Sequence, residues 1–267
     1  EIHEKSDEEK PEEQKIDIIP SEAPIHIRNL TYQYEGPASE KVLNDVSIDI
    51  PANKITAIVG ASGSGKTTLI KLLLGFYEPI NGSIQLGTSP LHRYSPSQWR
   101  KNCGVVMQDG FIFSDNIINN ISIIDDLPNL EKVDKALEAA NIKEFVDSLP
   151  LGHNTKIGND GKGISSGQKQ RMLIARAIYK DPSYLFLDEA TNSLDAKNER
   201  VIMENLNRFF EGKTVVVVAH RLSTVKNADQ IVVLDSGKVA EIGTHDELVN
   251  SKGHYFDLVK NQLELGN

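Results

Sequence analysis

Cysteine is almost absent from this 267-residue chain, with Cys103 standing alone. A lone thiol excludes an internal disulfide framework and suits a reducing compartment. Its place in the apolar run Cys103-Gly-Val-Val-Met107 makes it a packing residue rather than a nucleophile. No run of about 18 apolar residues occurs, so nothing reads as a membrane-spanning helix, and no secretory signal is visible. Basic excess is missing as well: 29 Lys and Arg face 38 Asp and Glu, for a net charge of −9. Internal repeats and heptad seams are also lacking.

The negative charge is concentrated at the start. Residues 1–24 hold nine acids (Glu1, Glu4, Asp7, Glu8, Glu9, Glu12, Glu13, Asp17 and Glu22) against Lys5, Lys10 and Lys15. With few apolar residues, Pro20, Pro24 and no period, this stretch reads as a flexible acidic linker. The chain starts at Glu1 rather than Met, which suggests a piece of a longer or processed protein. The body, residues 25–267, is left nearly neutral, which argues against nucleic acid as its main partner.

What is present begins with Ile55 to Leu74, an apolar strand, a glycine-rich turn and an apolar helix. Gly60-Ala-Ser62-Gly63-Ser-Gly65-Lys66-Thr67 fits G-x-x-x-x-G-K-[ST], the phosphate-binding P-loop, with Thr68 following. Its glycines let backbone N–H groups curl around a polyanion, and the helix N-terminus adds partial positive charge there. Lys66 is placed for the β- and γ-phosphates, and the Thr67 hydroxyl for Mg²⁺. Downstream, Tyr184-Leu-Phe-Leu-Asp188-Glu189 reads as a strand ending in two acids. A strand beside the P-loop would deliver Asp188 to the metal, while Glu189 polarises the attacking water. Ser165-Ser166-Gly167-Gln168 opens a helix, and such a start is both an N-cap and an anion site.

Around these motifs, Ile25–Tyr34 and Val42–Ile50 alternate apolar and polar as an antiparallel pair, the link between them being too short for a crossover. Unbroken apolar runs at 105–107, 184–187 and 214–219 are separated by helical stretches, which predicts a parallel sheet covered on both faces. Helices are expected over 116–126, 130–149, 167–180 and 196–210 and from His245 and His254, with roughly 109–180 a mostly helical insertion.

Together, Gly60–Thr67, Gln108, Ser165–Gln168, Tyr184–Glu189, Ser193-Leu194-Asp195 and His220 resemble the ATP-binding domain of ABC transporters over about residues 25–263. The serine-glycine-glutamine helix start is what separates that family from other P-loop ATPases. The resemblance implies an α/β P-loop NTPase core with a mainly parallel sheet, an N-terminal antiparallel β subdomain and an inserted α-helical subdomain. It implies ATP and Mg²⁺ as cofactors, ATP hydrolysis, and a head-to-tail dimer with a second such domain. Each ATP would lie between one subunit's P-loop and the Ser165–Gln168 helix start of the other. Tyr34 would stack on adenine, Gln108 would touch Mg²⁺ or the lytic water, His220 would contact the γ-phosphate, and Asp195 would communicate across the dimer.

Two segments depart from the family's wording: Ile164 and Ser166 stand where Leu and Gly are usual, and Asn159 stands in the Thr155–Asn159 exporter segment in place of glutamate. That segment and the acidic stretch suggest the exporter type, attached to a transmembrane domain at the cytoplasmic face of a bacterial inner membrane, with a peptide as cargo. The alternatives are a soluble ABC ATPase of nucleic acid or ribosome and a binding-only cassette. The first lacks its usual tandem or coiled coil here; the second is disfavoured because Glu189 and His220 are both present.

Overall fold

The computed structural model describes residues 15–34, 36, 39–123, 125–158, 161, 163–191, 194, 196–219 and 225–265. Strands β1 (Ile25–Tyr32), β2 (Leu43–Ile50), β4 (Asn81–Leu86) and β5 (Ser89–Pro90) form an antiparallel sheet in the order β2-β1-β4-β5. The larger sheet runs β12-β11-β3-β10-β9-β6. It is built from β3 (Ile55–Val59), β6 (Cys103–Val106), β9 (Tyr184–Asp188), β10 (Thr214–Val218), β11 (Gln230–Asp235) and β12 (Lys238–Gly243). All its neighbours are parallel except the β11–β12 hairpin.

Each central strand is buried on both faces, which is why its sequence does not alternate. Ala57, Leu185, Leu187, Val215 and Val217 point into a core shared with helices. Ile58, Phe186, Val216 and Val218 point into a second core under the antiparallel sheet and α1 (Lys66–Leu73). The first core takes in α3 (Ile117–Ile121), α4 (Leu130–Ala139), α5 (Lys143–Asp147), α6 (Ser166–Lys180) and α7 (Ala196–Phe210). A short α2 (Pro96–Asn102), capped by Ser95, carries the buried Trp99. A small β7 (Asp115–Asn116) pairs with β8 (Lys156–Ile157), and α8 (His245–Ser251) and α9 (His254–Leu265) close the chain.

The structure revises three expectations. The 130–149 helix is two, because Asn141 at φ 52 ends α4: Asn141 N bonds Glu138 O and Ile142 N bonds Leu137 O, a Schellman stop. The 116–126 helix ends at Ile121, where the Ser122 hydroxyl donates to Ile118 O. The acidic linker expected over 1–24 does not hold for residues 15–24, the part of it that is described. Ile16 pairs with Tyr94, Ile19 and Ala23 are buried, and Tyr184 Oη donates to Pro20 O at 2.5 Å and accepts from Ala23 N at 3.2 Å. Composition could not reveal this, since the partners lie in the turn before α2 and on β9.

Candidate functional site

The turn after β3 is held by two glycines no other residue could replace. A Cβ on Gly60 would lie 2.1 Å from Leu234 O of the neighbouring β11. Gly65, the N-cap of α1, sits at φ 100, and a Cβ there would lie 2.6 Å from Leu43 Cδ2 and 2.8 Å from Val42 O. The first bond of α1 runs from Leu69 N to Gly65 O, so the N–H groups of Lys66, Thr67 and Thr68 lie at the open end of the helix.

A cavity of about 210 Å³ opens there, lined by Val42, Ser62, Gly63, Gly65, Lys66, Thr67, Thr68, Gln108 and Glu189. Lys66 is buried, its Nζ donating to Gly60 O at 3.0 Å and Ala61 O at 2.8 Å. Burial pushes its pKa down, and the Glu189 and Asp188 carboxylates pull it back up. Asp188 is buried at the end of β9, paired with Val218. Glu189 follows at φ 53, its N–H bonded to Val218 O, and this left-handed kink turns its side chain into the cavity. The sequence suggested that the strand of Asp188 would lie beside the P-loop strand. It lies one further out, since β10 separates β3 from β9, and α1 still brings Lys66 within reach of both acids.

The donor set suits a metal-bound triphosphate. Helix-start N–H groups and one lysine are of the kind that bind phosphate oxygens, and the hydroxyl, carboxylate and amide oxygens of Thr67, Asp188 and Gln108 are of the kind that suit a hard divalent cation. Tyr34 stands at one side, 48% exposed, its hydroxyl 2.9 Å from Thr68 Oγ1 and its ring edge-on to Tyr32 and Tyr77.

Ser165–Gln168 do not line this cavity. They form the start of α6, with Ser165 and Ser166 exposed and Gly167 and Gln168 half-buried, closed by a capping box in which Gln168 N bonds Ser165 Oγ at 3.2 Å and Ser165 N bonds Gln168 Oε1 at 2.9 Å. Ser166, the departing residue, is exposed in the first turn of that helix. Asn159, Ser193, Asp195 and His220 lie outside the described residues. Sequence reading missed Val42 as a wall of the cavity. No local signal could have found it, because a strand start becomes a wall only when two sheets pack.

The ABC transporter family profile matches residues 43–192, more than half of the chain. The chain belongs to the ABC transporter family. Within that family it resembles the ATP-binding part of exporters. It is 42% identical to the alpha-hemolysin translocation ATP-binding protein HlyB of Escherichia coli over 85% of this chain and 32% of that protein. It is 44% identical to the ATP-dependent lipid A-core flippase of Alkalilimnicola ehrlichii, over 90% of this chain and 41% of that protein. A bacterial Atm1-family ABC exporter solved with ATP bound superposes with a TM-score of 0.89 at 33% identity, covering 95% of this chain and 44% of that one. The ABC module thus spans a third to two fifths of the length of these curated relatives.

Proposed function

We propose that this ABC module binds ATP at the P-loop cavity, pairs head-to-tail with a second copy, hydrolyses the nucleotide and thereby drives export through an attached transmembrane domain. One observation carries the reading: a phosphate cradle with Lys66, Gln108 and Glu189 around it, while the Ser165 helix start stands apart and exposed. Two positive helix ends separated in one subunit become one anion site when a second subunit supplies the missing half. The triphosphate is the joint between them.

In this mechanism Lys66 and the α1 N–H groups bind the β- and γ-phosphates, and Tyr34 stacks on adenine. Thr67, Asp188 and Gln108 would hold Mg²⁺, which when bound neutralises charge on the phosphate oxygens. Glu189 orients water and takes its proton as the water oxygen bonds to the γ-phosphorus. The bond from that phosphorus to the bridging oxygen breaks, leaving ADP and inorganic phosphate. His220 would contact the γ-phosphate, and Asp195 would sit at the dimer junction. Ser165, Ser166, Gly167 and Gln168 serve the partner's nucleotide. The module works at the cytoplasmic face of a bacterial inner membrane. Toxin-translocating relatives support a peptide as cargo.

Glu189→Gln tests the assignment. Removing the proton acceptor should lower turnover by about 10²–10⁴-fold while ATP binding persists and the dimer accumulates. Size-exclusion chromatography with ATP and Mg²⁺ showing only monomer, alongside undiminished hydrolysis, would defeat it.

A further inference from the structure

The helix that carries Ser165 is tied to the helix that follows Glu189 through one residue outside every motif. Asn141 ends α4 in the left-handed conformation, so its main chain and side chain face different neighbours. Its carbonyl accepts from Arg171 Nη1 of α6 at 2.6 Å, and Arg171 Nε also reaches Gly167 O in the first turn of that helix. Its carboxamide Nδ2 donates to Asn198 Oδ1 of α7 at 2.8 Å. Seven residues further along α7, on the same face, Asn205 Nδ2 donates to Ala139 O, a carbonyl in the last turn of α4. Between the two asparagines, Ile202 is fully buried in the core beneath the sheet.

These bonds form a continuous path. Glu189 leaves β9, the chain reaches α7 within a few residues, α7 holds Asn141, and Asn141 holds Arg171 beside the start of α6. We infer that Asn141 is a positioning residue, fixing the Ser165 end of α6 relative to the Glu189 side of the site in the same subunit. The inference rests on the reading that Ser165–Gln168 serve a partner's nucleotide. Two half-sites must arrive at the interface in register, and a clamp half-buried between two helices sets that register. Asn is suited to the place because it tolerates the left-handed conformation while offering an amide donor.

The test separates this from a mere helix stop. Asn141→Gly keeps the left-handed stop and the carbonyl for Arg171 and deletes only the amide to α7. In the full chain carrying Glu189→Gln, Asn141→Gly should raise the ATP concentration for half-maximal pairing about fivefold, the worth of one net hydrogen bond, as read by sedimentation. Mant-ATP affinity with Mg²⁺ in the monomer should not change. Asn198→Ala should repeat the effect from the other side, and Asn198→Asp, which keeps the acceptor oxygen, should restore pairing. Pairing unchanged in both Asn141→Gly and Asn198→Ala overturns the inference, whatever their melting temperatures. If Glu189→Gln alone fails to pair, the dimer reading falls instead, and amide hydrogen exchange decides. Faster exchange over 165–171 in Asn141→Gly with the P-loop unaffected upholds the positioning role, and equal exchange overturns it.

Discussion

At Gly65 the backbone carries a positive φ, and the space a side chain would need is taken by Leu43 and by the Val42 carbonyl. Gly65→Ala therefore combines a left-handed cost of about 1–2 kcal/mol with a clash against main chain that cannot rotate away. The expected result is a lower melting temperature together with loss of mant-ATP binding in titration. Retention of parental affinity would show that the cradle does not need this curl. The motif alone named Gly65, Lys66 and Thr67, because phosphate chemistry restricts what can stand at those positions. It could not show that Lys66 bonds the Gly60 and Ala61 carbonyls, nor that Glu189 adopts a left-handed kink. Both depend on where β10 and β11 stand.

Among the elements, α6 has one duty in the fold and, in the proposed dimer, a second. Its capping box satisfies the N–H groups of Gln168 and Ser165, so Ser165→Ala should cost about 0.5–2 kcal/mol, read as a modest fall in melting temperature. Ser165→Arg adds bulk and charge where a partner's triphosphate would dock. It should abolish ATP-driven pairing in sedimentation while mant-ATP affinity in the monomer stays unchanged. Loss of monomer affinity would place the residue in its own subunit's site. At the start of α8 the Glu247 carboxylate accepts from Thr244 N at 2.8 Å and Thr244 Oγ1 at 2.9 Å, which holds its pKa below the ordinary 4.5. A depressed carboxylate stabilises the fold fully above its ordinary pKa and loses that contribution as pH falls through the lowered value. The melting-temperature gap between parent and Glu247→Ala should thus stay constant at neutral pH and close as pH falls below the ordinary 4.5 and through the lowered value. A gap that widened in acid would refute the sign. Helix α7 could be read from its pattern to the residue; the break at Asn141 could not, since Asn sits in helices and in stops alike.

The whole molecule is closed by a strap that its composition disguised. Ile16, Ile19 and Ala23 lie against Tyr94, Trp99 and Tyr184, and the Tyr184 hydroxyl serves Pro20 and Ala23 at once, with burial raising its pKa to about 12. An unstructured linker could be removed silently; a docked strap cannot. Tyr184→Phe leaves the Ala23 N–H without its partner and should cost about 1–3 kcal/mol. Deleting residues 1–24 should lower the melting temperature by several degrees in calorimetry, and an unchanged value would show that the strap contributes nothing.

The sequence determined by itself the chemistry of the cradle, the family and the doubly covered sheet. Each is written in residue types at short spacing: glycines before a lysine, acids at a strand end, apolar runs without alternation. The three-dimensional structure alone decided that β10 separates the strands bearing Lys66 and Asp188. It decided that Val42 walls the cavity, that Asn141 joins α6 to α7, and that residues 16–23 of an acidic stretch are docked. Those are contacts between residues tens to more than a hundred positions apart, which no local pattern encodes until the sheets and helices have packed.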